Sequence, residues 1–372
     1  MFKFAVSTVD LMKILHVIND LTLGGAQRLL SDLARLLATD REVEIGIATL
    51  YDSGDSPLLK GIQENPAITL HELRSTSRFN YKTLSGLRRI SKGYDIIHAH
   101  LFPSGYLTAL ANPRKKLVYT EHSTHNRRRD KRFLRPVERF IYSRYSAVTA
   151  ISDPVKEALN RWIDSEKTSR KTTTIFNGVD LRRFEKIEKK SPRDLFGRDG
   201  KPLLMISRFT TSKDHESLIK ALSLVDDREM FLAFAGEGDT MERMKNLASE
   251  CGVSDRCLFL GNRDDIPDLV GASYIGIQAS HWEGFGLTAV EMMAGGLPVI
   301  ASDVPGLRDV VESAGLLYKA GDPESLAKAM NDLAADTDLY QQARQNCLER
   351  AKKYDIGATT RQYLTLYRIL LD

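Results

Sequence analysis

Residues 281–309, HWEGFGLTAVEMMAGGLPVIASDVPGLRD, decide the fold class of this chain. They predict a loop, a helix rich in small residues, a turn and a buried strand, which is half of a nucleotide-binding α/β layer. Glu283 lies in the loop, and Glu291 lies inside the helix. Two carboxylates on different elements, with a helix N-terminus available for phosphate, suit a ligand with hydroxyls at both ends and phosphate between them. A nucleotide-sugar has this layout.

The rest of the chain repeats the alternation of strands and helices. Its 372 residues favour two domains, each with a parallel sheet covered on both faces. In the first half, strands are predicted at 13–18, 44–49, 68–70, 96–99, 117–121, 147–150 and 173–175, and helices at 26–38, 82–92, 105–110, 134–144 and 154–162. In the second half, strands are predicted at 203–207, 231–235, 257–260, 274–278, 297–302 and 315–318, and helices at 215–224, 241–251, 266–271, 323–335, 339–353 and 356–371.

A polar stretch at 186–201, with Pro192, Gly197 and Gly200, predicts a linker. The predicted domains are therefore 1–185 and 202–355. Since open α/β sheets bind ligands at the carboxyl ends of their strands, we expect the two domains to face a central ligand cleft.

The composition indicates an enzyme of the cytoplasm. Apolar residues make up 42% and charged residues 27%, and the three cysteines form neither a C-x-x-C zinc motif nor an even disulfide set. Lys13 interrupts the apolar run of the N-terminus, which argues against a signal peptide. Met12 then reads as the start of the protein, and residues 1–11 as an upstream extension.

The charge is divided unequally. Residues 1–190 carry a net +12 and residues 191–372 a net −8. The most basic strip, at 126–144, interleaves cations with apolar residues, which fits anionic lipid headgroups. Nucleic acid and an ordinary solvated helix face are the competing interpretations. The predicted membrane patch consists of Arg127, Arg128, Arg129, Lys131, Arg132 and Arg135.

Glycine turns and cations follow predicted strands. Gly24 and Gly25 open the first helix, where close backbone N–H groups and the helix dipole favour an anion, although a plain strand–helix turn has the same pattern. Arg208 and Lys213 follow the first strand of the second half and could clamp a diphosphate, or simply begin a solvated helix. The nearest dinucleotide motif, at Gly236, lacks its third glycine, which argues against a nicotinamide enzyme.

Three histidines also follow strands. His98, His100 and His122 could contact a sugar or position an acceptor. An H-x-H pair also suggests a metal, but His98 and His100 share one strand face and only Glu121 is at ligand spacing. We therefore predict no metal site.

The carboxylate pair allows other interpretations. Glu283 and Glu291 could be the acid and base of a hydrolase, or a loop charge and a helix-dipole partner. The clamp cations and the glycine turns would then have no role. The joint arrangement favours a nucleotide-sugar site.

With these motifs in place, the chain resembles the retaining family-4 glycosyltransferases of GT-B fold, which have two Rossmann-like domains. The resemblance covers nearly the whole chain. It rests on Glu283-x7-Glu291 with Phe285-Gly286-Leu287, Ala294-Gly295-Gly296 and Pro298, Ser207-Arg208-Phe209 with Lys213, Gly236-Glu-Gly238, Asn177-Gly178-Val179-Asp180, Gly24-Gly25-Ala26-Gln27, and Asp95 to His100.

The resemblance implies roles for these residues. Gly24, Gly25, Arg208 and Lys213 would hold the donor diphosphate, and Glu291 the ribose hydroxyls. His122 would lie near the sugar and the reacting centre, and Glu283 would hold the sugar. Together with Glu283, the backbone N–H groups of Gly284, Phe285, Gly286 and Leu287 would hold the sugar, and the loop at Arg263 would line the base. His98 and His100 would lie on the acceptor side. The last helix, 356–372, would pack on the first domain.

The implied reaction moves a sugar from a UDP- or GDP-sugar to a glycan or lipid-linked acceptor of bacterial surface polysaccharide, with retention and without a metal, a cofactor or a nucleic-acid partner. The catalytic set would be His122, Glu283, Arg208 and Lys213. Gln27 and Asp309 stand where many relatives carry Glu. A nucleotide-sugar epimerase of the same plan and a non-catalytic scaffold remain alternatives, and an anionic membrane surface at the inner face is the expected location.

Overall fold

The computed structural model describes residues 11–78, 80–112, 114–126, 128–188 and 190–372. The chain forms two compact units. The first unit runs to Asn177 and includes Ile356–Asp372, and the second is Gly178–Asp355. Each unit has a parallel sheet and hydrophobic cores of its own, so each is described separately.

The sheet of the first unit has seven parallel strands in the order β3-β2-β1-β4-β5-β6-β7. The strand order reverses beside β1, and the carboxyl ends of β1 and β4 flank this switch point, where doubly wound sheets bind ligands. The strands are β1 (Met12–Ile18), β2 (Val43–Thr49), β3 (Ile68–Glu72), β4 (Ile96–His100), β5 (Lys116–Glu121), β6 (Ala147–Ala150) and β7 (Thr172–Thr174).

Helices cover both faces of this sheet. One core packs Leu30 and Leu33 against Ile14, and the other packs Leu107 and Tyr142 behind the opposite face. The strands can be apolar on both sides for this reason. The helices are α1 (Gly25–Leu37), α2 (Pro57–Gln63), α3 (Tyr81–Ile90), α4 (Ser104–Ala111), α5 (Arg135–Ser143), α6 (Asp153–Ile163) and α7 (Glu166–Ser169).

The second unit has six parallel strands in the order β10-β9-β8-β11-β12-β13, and its switch point lies between β8 and β11. Leu203, Phe234, Leu218 and Met330 are fully buried in its core. Its strands are β8 (Lys201–Ile206), β9 (Met230–Ala235), β10 (Cys257–Phe259), β11 (Ile275–Gln278), β12 (Val299–Ser302) and β13 (Leu316–Tyr318). Its helices are α8 (Arg182–Glu185), α9 (Pro192–Phe196), α10 (His215–Ser223), α11 (Met241–Glu250), α12 (Ile266–Gly271), α13 (Leu287–Ala294), α14 (Leu307–Val311), α15 (Pro323–Ala335) and α16 (Thr337–Lys352).

The last helix, α17 (Ile356–Leu371), packs in the first unit. It buries Tyr363 and Tyr367 in the same core as Leu30. The Tyr363 hydroxyl lies 3.0 Å from Thr120 Oγ1, which ties the helix to β5.

The segment predicted as a linker, 186–201, is an ordered part of the second unit. The second unit already begins at Gly178, and the segment contains α9, whose N-terminus is closed by a capping box between Ser191 and Asp194. Phe196 is buried against Phe231, with ring centroids 5.8 Å apart. A buried aromatic residue makes this segment part of a core, because its burial offsets the entropy of ordering the chain.

Among the described residues, no helix is both long enough and apolar enough to cross a bilayer. The proposed upstream extension, residues 1–11, lies outside the described residues except for Leu11.

Candidate functional site

Two loops at the switch point of the second unit are joined by backbone hydrogen bonds. Lys213, after β8, forms an isolated antiparallel bridge with Ser280, after β11. On either side, His281 N donates to Ser212 O at 2.9 Å and Asp214 N donates to Ala279 O at 3.1 Å. The bridge therefore brings the predicted cation loop beside the predicted carboxylate loop.

Lys213 and Glu283 form an ion pair at this junction. Lys213 Nζ donates to Glu283 Oε2 in a short contact and also lies 3.3 Å from Ser280 Oγ. The two side chains are 17% and 21% exposed, so the pair is partly shielded from water but still reachable by a ligand. The sequence placed both residues in the donor site, and the structure brings them together.

Asp214 contacts both loops through one carboxylate oxygen. Its Oδ1 accepts from Ser217 N at 3.1 Å, which caps α10, and lies 3.7 Å from His281 Nε2. Arg208 lies on the same loop as Lys213, is exposed, and makes no side-chain hydrogen bond or ion pair within the described residues. A guanidinium in this state is available to an anionic ligand.

Glycine shapes the backbone around Glu283. Gly306 has φ +90°, and a Cβ there would lie 2.6 Å from the carbonyl oxygen of Glu283. Gly286, at φ +95°, leads into α13, and Phe285 is buried edge-on against Tyr354 at 5.1 Å. The Glu283–Gly284 peptide is therefore held by close backbone contact, and Glu283 Oε1 accepts from Gly284 N at 3.2 Å.

Glu291 has a cationic neighbour that the sequence did not identify. It is nearly buried on α13, and Arg183 Nη1 lies 3.4 Å from its Oε1. Arg182 is held by Asp180 at 2.8 Å, so Arg183 is the cation of this adjacent pair that reaches Glu291. Two consecutive arginines gave no sequence signal for which of them would turn inward.

The loop predicted to line the base is fixed by its own contacts. Gly236 N donates to Gly261 O at 2.7 Å, and Arg263 Nε donates to Asp265 Oδ1 at 2.7 Å. Since the charge of Arg263 is already paired with Asp265, its flat guanidinium group would contact a base by stacking. Its contact with a base remains a prediction.

In the first unit, Gly24 and Gly25 lie where the sequence placed them, at the start of α1. Gly24 is the N-cap residue, and no side chain caps the helix in the described structure. The first turn contains no acidic residue. Its backbone N–H groups are thus compatible with an anion, and this role also remains a prediction.

Four histidines lie together on the face of the first sheet that α17 covers. His16 is the register partner of His98 on β4. His98 Nδ1 lies 2.6 Å from the Tyr367 hydroxyl, and His98 Nε2 lies 2.7 Å from Thr120 Oγ1. His100 lies 3.1 Å from His16 and 3.2 Å from His122, nitrogen to nitrogen.

The predicted acceptor contacts of His98 and His100 are wrong. Both side chains are almost completely buried, because α17 covers this sheet face, and both ring nitrogens of each are already hydrogen-bonded. Only His122, at the carboxyl end of β5, is partly exposed. Burial lowers the pKa of His16 to about 3 and of His122 to about 4, so these rings are neutral near pH 7.

A metal fits this cluster poorly. His16, His98 and His100 offer nitrogens within 4.8 Å of one another. However, His100 already uses both ring nitrogens in contacts with His16 and His122. Both nitrogens of His98 are also occupied by hydroxyl groups.

Several cations of the predicted membrane patch form ion pairs within the first unit. Arg128 pairs with the fully buried Glu138 at 2.8 Å, Arg129 pairs with Glu121 at 3.0 Å, and Arg135 pairs with Asp164 at 2.8 Å. Arg128 and Arg129 are thus held by buried carboxylates and are not available to a membrane surface, whereas Arg135 is 34% exposed beside an exposed Asp164, and its membrane role stays a prediction. Lys131 and Arg132 remain exposed, and Arg127 lies outside the described residues.

The chain has two α/β units, each with a parallel sheet, and a cation–carboxylate pair at the switch point of the second unit. These features define it as a protein of GT-B architecture. Residues 23–183 match the family model described as Glycosyltransferase Family 4, and residues 186–354 match that described as Glycosyl transferases group 1. The chain belongs to the group 1, family 4 glycosyltransferases.

Relatives agree with this assignment. The chain is 27% identical to N-acetyl-alpha-D-glucosaminyl L-malate synthase of Bacillus anthracis, over 73% of this chain and 74% of that one. It is 28% identical to the lipopolysaccharide core biosynthesis mannosyltransferase LpsB of Rhizobium meliloti, over 54% and 61%. HepE of Anabaena, in complex with UDP and glucose, shares the fold with a TM-score of 0.84 at 23% identity, over 95% and 99%.

Proposed function

We propose that this glycosyltransferase moves a sugar from a UDP- or GDP-sugar to a glycan or lipid-linked acceptor of bacterial surface polysaccharide or lipopolysaccharide, with retention at the anomeric carbon. The Lys213–Glu283 pair, with the exposed Arg208 on the same loop as Lys213, is the observation that carries the proposal. The diphosphate of such a donor is an anion that Arg208 and Lys213 would bind. Its sugar has hydroxyl groups that would donate hydrogen bonds to the Glu283 carboxylate. The UDP-bound relative and the lipopolysaccharide enzyme support this choice of substrates.

In the proposed step, the acceptor hydroxyl oxygen forms a bond to the anomeric carbon while the bond from that carbon to the diphosphate breaks. The diphosphate leaves with the electron pair on the same face and takes the hydroxyl proton. Arg208 and Lys213 would stabilise the developing negative charge, and Glu283 would orient the sugar. This scheme uses neither a protein nucleophile nor a metal, so a chelator should leave the rate unchanged.

Donor binding is tested first, by thermal unfolding with UDP, GDP, ADP and their sugar conjugates. We expect one base series to raise the melting temperature, since a ligand of the native state stabilises it. Lys213→Ala and Glu283→Ala should abolish the shift and the transfer. Lys220→Ala is the matched control, because it breaks the exposed Lys220–Glu216 pair on α10 outside the site.

Two results would contradict the proposal: normal transfer by both site variants, or conversion of the donor sugar to its epimer without any acceptor. The second result would identify the epimerase alternative.

We also propose that the enzyme works at the inner face of the cytoplasmic membrane through α5. Val137 and Phe140, three residues apart, share one face of α5 and are 48% and 53% exposed, and Phe133, in the 3-10 turn just before α5, is 73% exposed. Lys131 and Arg132 adjoin this face. Apolar side chains with neighbouring cations suit the boundary of an anionic bilayer.

Sedimentation with vesicles of phosphatidylglycerol and phosphatidylcholine tests this. We expect binding that weakens as salt rises and that falls in Phe133→Ser and Phe140→Ser. Tyr81→Ser is the control, since Tyr81 is 82% exposed elsewhere in the first unit. Equal binding by all four proteins would exclude α5 as the docking face.

A further inference from the structure

Three imidazoles of the first unit form a diagonal line across the sheet. The strand register pairs His16 with His98, and His100 with Thr120. His100 lies two residues beyond His98 on β4, and His122 lies two residues beyond Thr120. Each step therefore crosses one strand and advances two residues toward the carboxyl edge, which places side chains of one face in diagonal contact.

The line is a continuous hydrogen-bonded chain. His16 Nδ1 lies 3.1 Å from His100 Nε2, and His100 Nδ1 lies 3.2 Å from His122 Nε2. Burial keeps the three rings neutral, so each carries one proton and each contact uses one N–H and one lone pair. The protons must therefore all point in the same direction along the chain.

The inner end decides that direction. His16 Nε2 is buried and has no hydrogen-bond partner within the described residues. If the protons pointed inward, this atom would be an N–H donor with no acceptor, which is rare and costly in proteins. If they point outward, it is only an unused lone pair, and His122 Nδ1 at the outer end carries a proton.

We propose that His16 and His100 are positioning residues that fix the proton of His122 on Nδ1. His122 then acts as a hydrogen-bond donor to an oxygen of the bound ligand and not as a general base. The ligand part of this statement rests on the proposed function, whereas the tautomer does not.

The tautomer can be read directly by long-range 1H–15N NMR on protein labelled with 15N-histidine, without any ligand. Wild-type His122 should show a protonated Nδ1 and a bare Nε2 near pH 7. In His100→Phe, Nε2 loses its donor, and His122 should move toward the Nε2–H form that free histidine favours.

His98→Phe is the matched control. His98 lies on the same face of β4 with the same burial, but it bonds to Tyr367 and Thr120 and not to His122. The His122 tautomer should be unchanged in this variant. If neither variant folds, the wild-type spectrum alone still decides.

A wild-type His122 protonated on Nε2 would overturn the proposal, whatever reaction the enzyme catalyses. If donor transfer is established, His100→Phe should lower kcat/KM roughly ten-fold, the effect of about one hydrogen bond. If kcat/KM were unchanged while NMR gave the expected result, the proposed ligand contact of His122 would be wrong and the proposed tautomer would be confirmed.

Discussion

At the residue scale, close backbone contact at Gly306 sets the position of Glu283. Gly306→Ala should destabilise the second unit by more than Gly321→Ala. Both sites have positive φ, at +90° and +76°, so both variants incur the strain of about 1–2 kcal/mol that a left-handed residue costs. Only at Gly306 does the new Cβ meet a backbone oxygen. Equal melting temperatures for the two variants would show that the 283–284 backbone can yield.

Arg128 and Arg132 have different roles in the basic strip: Arg128 pairs with a buried carboxylate, and Arg132 is exposed. Arg128→Ala should lower the free energy of unfolding by about 3 kcal/mol, because Glu138 would stay buried with only the Tyr106 hydroxyl and Trp162 Nε1. Arg132→Ala should change it by less than about 0.5 kcal/mol, since the side chain is exposed. Urea unfolding measures both, and similar values would contradict the distinction.

These residues also show where sequence reasoning stops. Lys213 and Glu283 could be predicted as candidate site residues because each follows a buried strand, and Glu283 also precedes a glycine turn. The partner of Arg128, and the choice of Arg183 for Glu291, depend on contacts between segments far apart in sequence. Charge counts carry no information about such contacts, so the strip at 126–144 looked uniformly free.

At the element scale, the sequence predicted all thirteen described strands to within about two residues, because buried parallel strands are short apolar runs between turn residues. It missed α2, α7, α8, α9 and α14. The longest of these has seven residues, which is too short for the helical period to stand out. Missing α9 is what made this segment look like a linker.

Helix α17 should contribute strongly to the first unit. Tyr363 is 1% exposed, and its hydroxyl lies near Thr120 and Thr149. Tyr363→Ala should destabilise by about 3–5 kcal/mol through the cavity left behind. Tyr81→Ala, at an 82% exposed position, should cost far less. Comparable losses in urea unfolding would mean that α17 is only loosely attached.

At the scale of the whole molecule, the two units differ in how many buried neutral histidines they contain. In the first unit, burial lowers the pKa of His16 to about 3, of His122 to about 4, and of His98 and His100 well below the usual range. In the second unit, the corresponding group is His215, with a pKa lowered to about 3. The first unit should therefore be the more sensitive to acid.

This loss of stability in acid follows from the protons that the unfolded chain binds. Below pH 6.5 the unfolded chain protonates these rings while the folded unit does not, so stability is full above pH 6.5 and falls as the pH drops toward 4. A pKa difference of one unit between the folded and the unfolded state corresponds to about 1.4 kcal/mol, so the loss of stability grows with each histidine that stays neutral in the folded unit. Hydrogen exchange should show β4 and β5 losing protection before β8 and β9 between pH 6.5 and 5. His98→Phe, with one titrating ring fewer, should flatten the pH dependence of the first unit, and parallel loss in both units would contradict this account.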